Sequence, residues 1–128
     1  NVFNFGKMKR DFTYIDDIVE GIYRCCYKPA IPDKQFDYLN PDQSTSFAPH
    51  RIFNIGNNQS IELLKFIKIL EVELNNKAIK IMQPLQPGDV IATEADTQIL
   101  QKWIQYSPKT PIEIGIKRFS KWFLDFYC

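Results

Sequence analysis

The sequence predicts an α/β fold, because short strand-like stretches alternate with amphipathic helical ones. Residues 2–14, where aromatic and polar side chains alternate, predict a β-hairpin that turns at Gly6. Strand-like residues 51–55 and 78–82 enclose a helical stretch at 60–74, and this order predicts a βαβ unit. Its two strands are expected to lie parallel, with a right-handed connection. The prediction is therefore a small fold with a hairpin, a βαβ unit and packed helices.

The first helix is expected from Asp16 to Tyr27, directly after the hairpin. A short carboxylate at Asp16 or Asp17 can accept hydrogen bonds from the free amides of the first turn and so cap the helix. Pro29 and Pro32 end it. One face carries an apolar stripe at helical spacing, formed by Ile15, Ile18, Val19, Ile22, Tyr23 and Cys26.

Residues 32–49 are rich in proline and short polar residues, which predicts a long surface loop. Loops of this length and composition are often mobile, and mobility or disorder is the expectation for this one. Its aromatic side chains, Phe36, Tyr38 and Phe47, are expected to hold it together locally.

Three helices are expected in the rest of the chain. Ser60 opens the helix of the βαβ unit. Asp96 is expected to cap the next helix, which follows a proline-rich shaped loop at 83–90. Thr110 precedes a proline and stands three residues before Glu113, and this pattern predicts a capping box for the last helix.

Composition places the chain among globular proteins, and 128 residues suit one domain or a piece of one. A net charge of +1 provides no broad surface for polyanions, so nucleic acid is not expected as a partner. No apolar run approaches the roughly 20 residues needed to span a bilayer. We expect a cytoplasmic protein. The chain opens without Met inside a strand-like pattern, which we interpret as a fragment of a larger protein.

Neither a disulfide nor a metal site is expected. The three cysteines are Cys25 and Cys26, adjacent in a predicted helix, and Cys128, which together do not form a disulfide framework. His50 is the single histidine, and no Cys-x-x-Cys pair accompanies it.

Four motifs occur in the order and spacing seen in extended short-chain dehydrogenase/reductase enzymes. They are KRDFTYIDDI at 9–18, FNIG at 53–56, QPGDV at 86–90 and ADT at 95–97. Within that superfamily the chain most resembles the carboxy-terminal part of nucleotide-sugar epimerases, in particular UDP-glucuronate 4-epimerase. By this resemblance, residues 1–128 form a substrate-binding domain, and the Rossmann domain that binds NAD is absent from this chain.

The resemblance implies a parent enzyme that binds a UDP-sugar and oxidises C4 transiently with NAD before hydride returns to the other face. By similarity, Arg10 contacts the diphosphate, Phe12 lies near the uridine and Asp89 accepts a hydrogen bond from a ribose hydroxyl. Gln86 stands where some relatives carry an arginine, so we count it among the substrate-binding candidates. A homodimer is one assembly that the resemblance allows for the parent enzyme.

No residue of this chain is expected to be catalytic. The five glycines form no G-x-x-G-x-x-G or G-x-G-x-x-G motif, and no tyrosine is followed four residues later by lysine, as the Tyr-x-x-x-Lys motif requires. The chain alone is therefore expected to be inactive. The alternatives are a 4,6-dehydratase or a UDP-glucuronate decarboxylase of the same superfamily, and a non-catalytic interaction domain.

Overall fold

The computed structural model describes residues 1–128 and shows a mixed α/β chain with a two-stranded sheet and four α-helices. A short 3₁₀ turn at Phe3–Gly6 precedes the first strand. The elements are β1 (Lys9–Asp11), α1 (Ile15–Tyr27), β2 (Ser60–Glu62), α2 (Leu63–Glu73), α3 (Gln98–Ile104) and α4 (Ile112–Tyr127). The predicted fold class and the existence of all four helices are confirmed.

The predicted hairpin at Gly6 is wrong. Asn4 and Phe5 adopt left-handed backbone angles, with φ of 48° and 50°, so the chain coils tightly where a strand was expected. Val2 instead forms a parallel bridge with Met82. The alternation of aromatic and polar residues did not predict the strand partners, because residues 2 and 9–11 pair with residues that are distant in sequence.

The predicted βαβ unit is also wrong. Strand β2 occupies Ser60–Glu62, where the helix was expected to begin, and pairs antiparallel with β1. In the two predicted strands, Arg51 forms a single bridge to Thr45 and Met82 forms the bridge to Val2. The sheet therefore consists of β1 and β2, and residues 12–59 connect the two strands.

The predicted cap of α1 by Asp16 or Asp17 is wrong. The helix begins after Tyr14, and no side chain caps its first turn. Asp17 is buried, and its carboxylate accepts hydrogen bonds from the Tyr106 hydroxyl at 2.8 Å and the Thr110 N–H at 2.9 Å. Asp16 lies outside and pairs with Arg118 across 3.3 Å. The acidic start of α1 thus joins that helix to the segment before α4.

No side chain caps the first turn of either of the last two helices. Helix α3 begins after Thr97, so the predicted cap by Asp96 is wrong. The Asp96 carboxylate lies one residue earlier and accepts the N–H of Gln98 at 3.0 Å. The predicted capping box before α4 is not formed, since the residue flanking that helix is Pro111 and no side chain caps it.

The long loop lies on the surface, as predicted, and its aromatic residues meet. Phe36 contacts Tyr38 and Phe47 with ring centroids 5.2 and 6.1 Å apart, and Tyr38 lies 5.6 Å from Phe47. The expected local cluster is confirmed, while the mobility of the loop stays a prediction.

The buried core is small. Helix α2 packs against α4 and α1 against α3. At the start of α4, Gly115 admits the Tyr14 ring, because a Cβ there would lie 3.3 Å from that ring. The buried apolar side chains are Val2, Met8, Ile61, Leu100, Ile104 and Ile116.

Much of the apolar surface has no partner within the chain. On α1, the stripe of Ile15, Val19, Ile22 and Tyr23 is more than half exposed at every position. No helix combines the length and the apolar character required to cross a membrane.

The buried Asp17 makes the stability of the fold pH-dependent. Burial acts to raise the pKa of Asp17, but hydrogen bonds from Thr110 and Tyr106 outweigh it and place that pKa below its ordinary value. Burial and the bond to Asp17 raise the pKa of Tyr106 to about 12. A carboxyl with a lowered native pKa stabilises the fold above its ordinary pKa, and this contribution is lost as the pH falls through the native value.

We expect Asp17→Asn to lower the free energy of unfolding by about 2 kcal/mol at pH 7, since a carboxylate with two donors is lost. The gap between wild type and variant should narrow as the pH falls below the ordinary carboxyl pKa of about 4, because the unfolded carboxyl is protonated there while the native one still carries its charge. Urea unfolding followed by circular dichroism from pH 7 to 3 measures this gap. Asp16→Asn, on the exposed neighbour, is the control and should leave stability within about 0.5 kcal/mol. A gap that is constant over the whole range contradicts the assignment.

Candidate functional site

Two of the residues singled out from the sequence meet at the edge of the sheet. Arg10 donates from one terminal nitrogen to Asp89 Oδ1 at 3.1 Å. Its other terminal nitrogen donates to the Lys9 carbonyl at 2.8 Å and to the Ile91 carbonyl at 3.4 Å. The side chains of Arg10 and Asp89 are 27% and 31% exposed, so the ion pair is open to a ligand on one side.

The loop that carries Asp89 lies along β1 on the edge opposite β2. The Lys9 N–H donates to the Ile91 carbonyl at 2.9 Å, and the Thr93 N–H donates to the Lys9 carbonyl at 3.2 Å. Before this segment, Gly88 turns the chain with a φ of +83°, a region that suits glycine. The strand and the loop therefore hold the guanidinium and the carboxylate together, although 79 positions separate them in sequence.

Gln86 lies three residues before Asp89 in the same turn, and its carbonyl accepts the Asp89 N–H at 3.1 Å. Its side chain is exposed and makes no hydrogen bond to Arg10. The structure thus places Gln86 beside the site through its backbone, and a ligand contact from its amide stays a prediction.

Phe12 lies in a different environment from Arg10. Its ring stacks on Phe66 with centroids 4.3 Å apart and planes 14° from parallel. Both rings line an apolar cavity of about 310 Å³ between the end of β1 and α4. Neither Arg10 nor Asp89 lines that cavity, and the uridine contact of Phe12 stays a prediction.

The structure gives Asp11 a role that the sequence did not reveal. Asp11 follows Arg10 directly in sequence, but Arg10 pairs with Asp89. The Asp11 carboxylate accepts three backbone N–H groups, from Asn57 at 3.0 Å, Asn58 at 3.1 Å and Ala95 at 3.1 Å. Two features of the sequence could have indicated this role: a carboxylate at the end of a strand, and a Gly-Asn-Asn turn elsewhere in the chain with free backbone N–H groups. The sequence does not show that this turn lies against Asp11.

The arrangement supplies binding groups. A guanidinium matches the oxygens of a phosphate, and a neighbouring carboxylate accepts a hydrogen bond from a hydroxyl. No group of three histidine, cysteine or acidic side chains is placed to hold a metal ion. The site is therefore suited to an anionic ligand that also carries hydroxyl groups.

The comparisons give this site a family context. No family model matches the chain. Protein CapI of Staphylococcus aureus is 43% identical over 127 residues, which are 99% of this chain and 38% of that protein. A probable UDP-glucuronate 4-epimerase of Rhizobium meliloti is 35% identical over 127 residues, which are 96% of this chain and 36% of that protein.

Solved structures agree with these relatives. The structure of UDP-glucuronic acid 4-epimerase from Bacillus cereus with UDP-glucuronic acid and NAD has a TM-score of 0.72 and 25% identity to this chain. The match covers 98% of this chain and 35% of that one. The chain thus spans little more than a third of the length of the relatives and structures it matches.

The fold matches about a third of the length of Rossmann-type epimerases and dehydratases of the short-chain dehydrogenase/reductase superfamily. Homologues of the chain are UDP-glucuronate 4-epimerases, so the resemblance stated from the sequence is confirmed. Structural neighbours of the same superfamily have been crystallised with NAD.

We expect the Arg10–Asp89 ion pair to contribute little to folding. Asp89→Asn should lower the free energy of unfolding by less than about 1 kcal/mol, because partly exposed ion pairs are weak and screened by salt. Urea unfolding at low and high salt measures this, and the difference from wild type should shrink at high salt. A loss above about 2 kcal/mol would show that the pair is a structural requirement rather than an available binding site.

Proposed function

We propose that this chain binds the nucleotide end of a UDP-sugar within an NAD-dependent UDP-glucuronate 4-epimerase. The contact between Arg10 and Asp89 carries the proposal. The cation is directed to the diphosphate, and the carboxylate beside it accepts a hydrogen bond from the ribose. Relatives named as UDP-glucuronate 4-epimerases match nearly the whole chain, which supports the proposal.

The ion pair suits this role because it is preorganised and partly open. Arg10 is held by two backbone carbonyls on one nitrogen, while its other nitrogen reaches Asp89. A guanidinium held in this way needs little reordering when a phosphate arrives, and each charge-assisted bond is stronger than a neutral one. The Asp89 carboxylate has a second oxygen that accepts no hydrogen bond from another residue.

The chain does not fit the cofactor. A pyrophosphate site at a helix start needs glycine-rich backbone, and α2, which follows β2 directly, begins after Glu62 and contains no glycine. We therefore infer that NAD binds a Rossmann domain outside residues 1–128, and that the base for the hydride transfer lies there too. By itself this chain binds and orients, and we expect it to show no turnover.

The exposed apolar face of α1 is a candidate contact surface for a second domain. An apolar stripe of this extent in contact with solvent is unusual for a soluble surface and marks an interaction site. We propose that the Rossmann domain covers the stripe in the full-length enzyme, so the substrate lies between the two domains. A cytoplasmic location and a homodimeric parent enzyme stay predictions.

We expect Arg10→Ala to weaken UDP binding by the full-length enzyme about 10- to 100-fold, because a charge-assisted contact to phosphate is lost. Isothermal titration with UDP and UDP-glucuronate measures this. Arg118→Ala is the matched control, since that arginine is exposed on α4 and pairs with Asp16, and it should bind within about twofold of wild type. Equal affinities of wild type and Arg10→Ala, with both folded, would refute the assigned role.

Product analysis with UDP-glucuronate identifies the reaction. The expected product is UDP-galacturonate, formed by inversion at C4. Release of carbon dioxide would instead identify a decarboxylase, and a 4-keto-6-deoxy product from a UDP-hexose would identify a dehydratase. The coding region upstream of Asn1 should specify a glycine-rich strand-turn-helix and a Tyr-x-x-x-Lys motif, and their absence would favour an interaction domain without catalysis.

A further inference from the structure

We infer that Asp11 is a positioning residue for the diphosphate site. It contacts no proposed ligand group, but it fixes the segment 89–95 against β1 and so sets how Arg10 and Asp89 face a common ligand. The inference rests on the proposed UDP-sugar binding and adds to it the residue that shapes the site.

The Asp11 carboxylate joins three parts of the chain. Its two oxygens accept N–H groups from the turn at Asn57 and Asn58 and from Ala95, all within 3.1 Å. Gly56 permits this approach, because a Cβ there would lie 2.7 Å from Asp11 Oδ2 and 2.6 Å from the Ala95 Cβ. Such convergent backbone donors form a concave site for an anion, which here is a side chain of the same protein.

The hydrogen bonds of Asp11 extend the backbone pairing between β1 and residues 89–95, the segment that carries Asp89. Lys9 pairs through its backbone with Ile91 and Thr93, and the Asp11 N–H donates to Thr93 Oγ1 at 3.3 Å. The bond from Ala95 to the Asp11 carboxylate fixes the segment beyond that point. Without it, the end of the segment has no further hydrogen bond to β1.

Asp11 does not pair with Arg10, so the guanidinium can pair with Asp89 of the loop. Adjacent residues of a strand point to opposite faces, so the two side chains diverge. The Asp11 charge is satisfied by backbone donors and the Arg10 charge by Asp89, so the guanidinium meets a carboxylate from the loop. The loop position therefore decides the geometry of the Arg10–Asp89 pair, and Asp11 helps to decide the loop position.

The test separates positioning from general stability. In the full-length enzyme, the affinities for UDP and for uridine are measured by isothermal titration for wild type, Asp11→Asn, Arg10→Ala and the double variant. Asp11→Asn has nearly the same size but places an amide NH₂ against some of the backbone donors. Asp16→Asn is the control, because that carboxylate is exposed and contacts Arg118.

We expect Asp11→Asn to weaken UDP binding about tenfold and uridine binding less than about threefold, since uridine shares only the proposed Asp89 contact and lacks the phosphate contact of Arg10. The double variant should lose less UDP affinity than the two single losses added together, because both substitutions disturb the same Arg10–Asp89 pair. Additive losses in the double variant, or equal losses for UDP and uridine, would assign Asp11 a purely structural role and overturn the inference.

Two further outcomes are distinguishable. If wild type does not bind UDP, the proposed function fails and the inference fails with it. If wild type binds UDP and Asp11→Asn binds equally well, only the inference fails.

If Asp11→Asn does not fold, Thr93→Val replaces it. That variant keeps the carboxylate and removes the hydroxyl that accepts the Asp11 N–H. We expect a phosphate-dependent loss of about two- to fourfold, as one neutral hydrogen bond is removed. Unchanged UDP affinity in a folded Thr93→Val would overturn the inference.

Discussion

Strand β1 is hydrogen-bonded along both of its edges, and the candidate site depends on this. One edge pairs with β2, in the register Lys9 with Glu62, Arg10 with Ile61 and Asp11 with Ser60. The other edge accepts the irregular segment around Ile91 and Thr93. The three residues of β1 thus fix the start of α2, which follows β2, relative to the segment 89–95.

Beyond the strand, two carboxylates connect segments of the chain that are distant in sequence. Asp11 holds two loops through backbone N–H groups, and Asp17 holds Tyr106 and Thr110 in the segment before α4. Both carboxylates are satisfied by donors far away in sequence. These polar contacts join β1 and α1 to distant segments of the chain, namely the turn at Asn57 and Asn58, Ala95 and the segment before α4.

The same architecture separates the binding groups of this chain from the groups that it does not supply. The described chain offers a cation, a hydroxyl acceptor and an apolar cavity, whereas its glycines form no pyrophosphate site. Its relatives are almost three times as long. The exposed stripe on α1 is the surface that we propose a second domain covers.

Helical periodicity in the sequence determined the four helices, because spacing along one face is a local property that neighbours rarely overturn. The motif around Arg10 and the Pro-Gly-Asp turn likewise pointed to two side chains, Arg10 and Asp89, that meet in the structure. The tertiary structure alone decided that β1 pairs with β2 rather than with residues 2–5, and that Asp17 faces inward rather than capping α1. Strand partners and the donors of a buried carboxylate come from distant parts of the chain, so no local pattern specifies them.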